Sequence, residues 1–462
     1  MKNARQLFAM IKRNSLKKLV QHKPDVAACQ VGTPFMAEQR RPSVPLWLVD
    51  ASSGTLLSIS DRQGVLAVPR TRQVAHATWP IHGPVSRGLI HDARCSPCNL
   101  LPGTMLFVCL ALCLSSCGFP GIVSTSEQLP RVNEQATAQQ LPPIHFPQDE
   151  GAHNDLTEWW YYTGHFDATD TSGKAHRYGF ELVTFQALRS DLPPVYASHF
   201  AISDITRGEF HYDQRRIIKA TGSTPNGTST QGIAVHNGDW TIQGLNGHDH
   251  LVAGMKDYAI NLDLTARKPA VLHNGSGLIT YGLGGFSYYY SRTHMDVSGT
   301  ILDHNQRLQV HGLAWMDHQW GNFLTLGGGG WDWYSIQLNN KSEMMVYFIR
   351  DASGNVLSTY IGYIDAAGGD RIIQPTAIHA TVLDKWTSPA TGITYPSGWR
   401  LDINDSQLQT TLTLTPALKD QELVVTASTG NTYWEGAVDI KGQSNGQPVT
   451  GQGYVELTGY NK

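Results

Sequence analysis

From about residue 150 onward, short runs rich in Tyr, Trp, Val, Ile and Thr recur between clusters of Gly, Asn and Asp. Within the runs apolar and polar side chains alternate, which is the period of a strand with one buried face. Strands are predicted over Glu158 to Phe166, Arg177 to Gln186, Tyr196 to Ser203, Trp240 to Gly244, Asp257 to Thr265, Phe286 to Ser298 and Leu308 to Met316. Asn226-Gly227, Asn237-Gly238 and Asn274-Gly275 lie between them, and such pairs favour hairpins. The sheet is therefore antiparallel.

The glycine run 327–330 interrupts the pattern, and a second series follows: Trp331 to Leu338, Glu343 to Arg350, Leu357 to Ile364, Ile378 to Leu383, Gly398 to Ile403, Gln409 to Pro416, Leu423 to Ala427 and Thr432 to Lys441. The glycines read as a linker, because no helix or Lys-Ser/Thr follows to make a phosphate loop. Two β domains, 145–326 and 327–462, are expected. Each opens on an aromatic run, Glu158-Trp159-Trp160-Tyr161-Tyr162 and Trp331-Asp332-Trp333-Tyr334-Ser335, which suggests a weak internal repeat. Each half is long enough to close its own all-β barrel with one ligand in its mouth. The second is expected to be filled by its own side chains.

Residues 1–100 carry no such periodicity and read as an extension upstream of the true start, expected shortly before Arg94. Segment 101–117 contains the apolar run Met105 to Leu114, too short to span a bilayer but suited to a signal-peptide core. Leu114-Ser115-Ser116-Cys117 then resembles a lipobox, with Cys117 as the lipidated residue and Gly118 following it as in lipoproteins sent to the outer membrane. Residues 118–144, rich in Ser, Thr, Gln and Pro, read as a flexible tether. The expected location is the bacterial cell envelope, lipid-anchored and facing the periplasm.

Charge and cysteine sharpen this division. Of 35 Lys and Arg and 38 Asp and Glu, residues 1–117 hold 14 and 5, leaving 21 and 33 beyond them. An acidic body without a basic cluster excludes nucleic acid as the expected partner. All six cysteines lie at or before Cys117, so the barrels have no thiol or disulfide.

The densest chemistry lies in Gly312-Leu313-Ala314-Trp315-Met316-Asp317-His318-Gln319-Trp320-Gly321. At period two, Asp317 shares a face with Trp315 and Gln319, while His318 shares the other with Met316 and Trp320. A cavity on Asp317's face would raise its pKa and hold a proton for donation; the plainer reading is a strand end whose Asp and His satisfy loop backbone. His248-Asp249-His250 could point two imidazoles one way, but without a third ligand it reads as an exposed turn, and no metal or other cofactor is expected. No Gly-x-Ser-x-Gly elbow supports a serine hydrolase.

Four motifs in order, Asn154 to Gly164, Ala197 to Asp204, Tyr288 to Thr293 and Trp315 to Gly321, resemble the AttH-like family, or predicted secreted hydrolases, which includes carotenoid 1,2-hydratases. The resemblance covers about residues 145 to 462 and implies two lipocalin-like barrels in tandem. It implies Asp317 as the acid that protonates an isoprenoid alkene, with Trp315 and Tyr290 as cation-stabilising walls. His199, Glu158 or His318 would hold the water. Where the hydratases carry His-x-Trp, this chain has Tyr288-Tyr289-Tyr290, and tyrosine is the poorer proton acceptor.

Trp160 and Trp333 are assigned to closing the barrel ends, Trp159 and Tyr288 to the ligand, and Glu158 to pairing with an arginine such as Arg292 or to function. Two functions are carried forward for a lipophilic small molecule: hydration or hydrolysis by Asp317, and non-catalytic carriage. A third reading is a scaffold-like role between the domains or with envelope transporter components.

Overall fold

The computed structural model describes residues 48–49, 56–57, 141–189, 192–218, 232–280, 285–323 and 329–461. The signal segment with Cys117, and the tether up to residue 140, lie outside them. So does most of the extension over 1–100, where Leu48–Val49 pairs with Leu56–Leu57. No described helix is long and apolar enough to cross a membrane.

Strands β1 Thr157–Thr169, β2 Ala175–Arg189, β3 Leu192–Asp204 and β4 Glu209–Ile218 begin the first domain. They are followed by β5 Ile233–Asn237, β6 Trp240–Leu245, β7 His248–Gly254, β8 Tyr258–Ala266, β9 Val271–Leu272 and β10 Leu278–Thr280. The long strands β11 Gly285–Asp303 and β12 Gln306–Phe323 complete it. All pair antiparallel in the order β4-β3-β2-β1-β12-β11-β8-β7-β6-β5, with β9 and β10 on β11, and β3 and β4 come back against β5 in a nearly closed barrel. Left-handed Asn246 and Gly247 turn β6 into β7.

The second domain contains β13 Gly330–Leu338, β14 Glu343–Arg350, β15 Val356–Ile364, β16 Asp370–Ile373 and β17 Ile378–Val382. Then come β18 Lys385–Thr387, β19 Thr394–Pro396, β20 Trp399–Asp405, β21 Leu408–Pro416, β22 Glu422–Val425, β23 Asn431–Ser444 and β24 Gln447–Leu457. Its sheet runs β16-β15-β14-β13-β24-β23-β21-β20-β17, with β22 on β23 and a separate β18–β19 pair. The expected tandem of all-β, lipocalin-like barrels is what forms.

Three expectations fail locally. His248-Asp249-His250 is not a turn but the start of β7, with Asp249 buried and His250 bonded outward to Asp263 at 2.7 Å. Strand β4 was missed because its Asp213, Arg215 and Arg216 lie at a half-exposed edge, and β24 because two glycines and a proline dilute it. The last residues of the expected tether are packed: Leu141 and Ile144 lie against the first barrel's core, and Pro142 carbonyl accepts from Tyr288 hydroxyl at 2.7 Å.

Strand alternation sorts side chains into three apolar layers. Trp160, Tyr162, Phe166, Phe180, Leu182, Trp240 and Leu251 fill the first barrel. Tyr334, Ile336, Val346, Trp399, Leu412 and Trp434 fill the second. The outer faces of β1, β2, β11 and β12 meet those of β13, β14, β23 and β24 through Tyr161, Val183, Tyr289, Trp315, Trp333, Met345, Ala437 and Tyr454. Trp160 performs its assigned duty, its indole N–H donating to Glu150 carbonyl at 3.1 Å. Trp333 does not: it belongs to the layer between the barrels, and Tyr334 takes the equivalent inward position.

Polar contacts fix the two barrels together. Arg177 forks onto Asp439, and Gln337 amide donates to Thr293 and Ala314 carbonyls at 2.8 and 3.0 Å. Lys268 and His294 converge on buried Glu343 at 2.6 and 2.8 Å. The closest approach is at Gly179, where an added Cβ would lie 2.6 Å from Tyr454 Oη and 2.7 Å from Ala437 Cβ. Gly179→Val is expected to lower unfolding stability by about 1–3 kcal/mol through overpacking. A denaturant titration followed by tryptophan fluorescence measures this, and an unchanged midpoint would refute the tight contact.

Candidate functional site between the barrels

Register alone builds the site. One row across the first barrel's outer face reads Ser291, Asp317, Tyr161, Val183, His199, Gln214 in directly opposed pairs. Two residues along, Trp315, Thr163, Glu181 and Ala201 form the next row. The facing wall of the second barrel presents Tyr360, Tyr347, Trp333, Glu456 and Glu435. Four carboxyl groups thus enter an aromatic layer from four strands.

Asp317 is 3% exposed. Its Oδ2 accepts from Tyr289 hydroxyl at 2.5 Å, and its Oδ1 from Trp315 indole N–H at 2.6 Å and from Ser291 hydroxyl. Ser291 in turn meets His273 Nε2 at 2.6 Å, whose Nδ1 meets Tyr360 hydroxyl at 3.1 Å. Burial pushes the Asp317 carboxyl up to about 6 although the three donors pull it down. Tyr161 donates to Glu435 at 2.7 Å and Tyr433 to Glu181 at 2.9 Å, while the other oxygen of each glutamate is buried without a partner. Burial raises Glu181 to about 8, helped by Glu456, and raises Glu456 to about 7. Glu435 is held well above the carboxylate range by burial and by its acidic neighbours. None of the four forms an ion pair with Lys or Arg among the described residues. Buried carboxyls with raised pKa values thus lie beside aromatic faces.

The sequence-predicted residues separate into two groups. Asp317, Trp315, Trp159 and His199 share the layer between the barrels: Trp159 packs edge-on to Phe185 and Phe323, and His199 bonds Tyr433 at 2.7 Å and Ser428 at 3.0 Å. Burial depresses His199 to about 3, so it is neutral. His318, Tyr290, Tyr288 and Glu158 point the opposite way, into the first barrel, because each is one residue out of phase with that face or paired with one that is. Tyr290 therefore does not wall Asp317; Tyr289 does. His318 and Glu158 cannot hold a water for Asp317, since they bond each other at 2.9 Å on the far side of the sheet. Glu158 does not pair with Arg292, which pairs with Glu150. Among the described residues, His153, Glu158 and His318 could hold a metal ion, their ligand atoms lying within 4.8 Å of one another.

Glu181, Glu435, Glu456, Tyr161, Tyr289, Ser291 and Tyr433 were not legible as site residues. Tyr161, Tyr289 and Ser291 lie inside the motifs Asn154 to Gly164 and Tyr288 to Thr293, whereas the three glutamates and Tyr433 lie in none.

The raised acids give stability a defined pH dependence. Their folded pKa values exceed the unfolded ones, so their contribution is full at low pH and lost as pH rises through the folded values. Above pH 7 ordinary histidines are already neutral, and the fall comes from the glutamates together with His153, which, against its burial, hydrogen bonds to Asp149 and Glu158 hold at about 9. Unfolding free energy is expected to fall between pH 7 and 9, with Glu181→Gln removing about 1 kcal/mol of the fall. Denaturant melts at each pH test this, and a rise would contradict the buried-acid layer.

Comparison with known proteins places this geometry. The AttH-like family model matches residues 137–460. Kievitone hydratase of Fusarium solani subsp. phaseoli is 25% identical over 276 residues, 57% of this chain and 74% of that protein. The crystal structure of an AttH protein from Nitrosomonas europaea superposes with a TM-score of 0.60 at 31% identity, over 69% of this chain and 98% of that one. Kievitone hydratase from Nectria haematococca shares the fold, with a TM-score of 0.54 at 17% identity over 70% and 94% of the two chains. The chain belongs to the AttH-like family.

Proposed function

We propose that the protein adds water to an isolated alkene of a lipophilic, isoprenoid-like molecule bound between the two barrels, with Asp317 as the acid. The observation that carries this reading is a buried carboxyl raised to about 6, unpaired with Lys or Arg among the described residues and enclosed by Tyr161, Tyr289, Trp315 and Trp333. An unactivated alkene needs a dry acid near neutral pH. The Asp317 proton and the alkene π pair form a C–H bond and leave a tertiary carbocation. Aromatic faces stabilise that cation by about 1–2 kcal/mol each when desolvated. A water oxygen then forms the C–O bond, and its released proton returns to the carboxyl layer, so the sum is alkene plus water giving alcohol. The relatives named hydratases support this direction.

The alternative is a carrier that binds the same ligand without converting it. Its support is that both Asp317 oxygens already accept protein hydrogen bonds, as a structural carboxylate would. Incubation of the full chain with geranylgeraniol in ¹⁸O-water separates the two. Hydration yields a tertiary alcohol carrying one ¹⁸O, and Asp317→Asn is expected to lower its rate by about 1,000-fold. Ligand recovered unchanged from both proteins would favour the carrier.

Cys117 is proposed as the lipid anchor, holding the protein on the periplasmic side of the envelope. Alkynyl-palmitate labelling in the native host should be present in wild type and absent in Cys117→Ala; equal labelling would remove the anchor.

A further inference from the structure

The inward face of β1 and β12 carries a second polar cluster that the hydration step does not use. We propose that His153, Glu158 and His318 form a three-ligand site for a divalent cation of the zinc type. His153 Nδ1 and His318 Nε2 both point at one oxygen, Glu158 Oε1, at 2.7 and 2.9 Å. Tetrahedral zinc bonds of 2.0–2.1 Å place neighbouring ligand atoms about 3.3 Å apart, and the three ligand atoms here lie within 4.8 Å of one another. Two imidazoles with one carboxylate, leaving one position for water or another ligand, suit zinc better than calcium or magnesium, which take oxygen donors.

The outer contacts are those that orient metal ligands. His153 Nε2 faces Asp149 Oδ1 at 3.4 Å, and His318 Nδ1 faces Tyr290 hydroxyl at 3.4 Å. Glu158 Oε2 accepts from Gln186 amide and from His153 backbone N–H, both at 2.9 Å, which aims Oε1 at the imidazoles. Such partners fix ring orientation and raise ligand basicity. Trp320 stacks on His153 at 4.1 Å and Trp160 on His318 at 4.9 Å, shielding the site from water. Glu158 and His318 are fully buried, and Glu158 meets both imidazoles.

The three ligands come from different parts of the chain: the segment before β1, β1 itself and β12. A bound cation would therefore staple residues 141–156 across the end of the first barrel, independently of any reaction between the barrels.

The test is a Co²⁺ titration of the reduced full-length chain, followed by visible absorption, with Zn²⁺ competition and thermal melts. The expected result is one equivalent of intense tetrahedral bands, displaced by Zn²⁺ and accompanied by a rise in Tm. Thiolate-to-cobalt bands in the near ultraviolet would identify binding by the N-terminal cysteines, which is separate. His318→Ala is expected to weaken Co²⁺ binding by more than about 100-fold. His153→Ala, at a less buried position, tests the same site without removing a core side chain. Weak octahedral bands from wild type, or tetrahedral bands retained by both folded variants, would overturn the proposal.

Discussion

The pleat of β12 is the constraint on which everything else depends. Each residue of Trp315-Met316-Asp317-His318-Gln319-Trp320 must point opposite to its neighbour, and both sides of this wall are covered. One side is the filled first barrel and the other is the second barrel. A shift of one residue in register would place Asp317 in the barrel core and Met316 between the barrels. The strand is therefore specified twice, which is stricter than for a sheet with one face in water.

That double coverage explains the electrostatics. A carboxylate at a solvated sheet face keeps its ordinary pKa, whereas Asp317, Glu181 and Glu435 lie where water is excluded by a second domain, so burial dominates. Hydroxyl and indole donors satisfy Asp317 and one oxygen each of Glu181 and Glu435 without neutralising them, leaving protons as the available counter-charge. On the opposite side the same sheet uses another solution, pairing Glu158 with imidazoles. One wall thus separates an acidic, aromatic layer from a histidine–carboxylate cluster.

The repeated openings of the two domains also acquire a physical meaning. In β1, Glu158 and Trp160 turn inward while Trp159 and Tyr161 turn outward; in β13, Asp332 and Tyr334 turn inward while Trp331 and Trp333 turn outward. An inward acid satisfied inside its own barrel, flanked by outward aromatics, recurs in both. The outward rings of both strands contribute to the layer that joins the barrels.

The sequence by itself determined the all-β class, most strand positions and the face that Asp317 shares with Trp315, because these follow from a period of two and from turn residues with fixed backbone preferences. It missed β4, β5, β7, β16 and β24 and the short strands β9, β10, β18 and β19, where exposure, glycine or shortness hides the alternation. It also grouped His318, Tyr290 and Glu158 with Asp317, although period two had already placed His318 on the other side. Only the tertiary structure decided which strands lie side by side and that a second barrel covers the outer face. Glu181 and Glu435 are 254 positions apart, and no local pattern reports such a distance; strand register and domain packing bring their carboxyls into one dry layer.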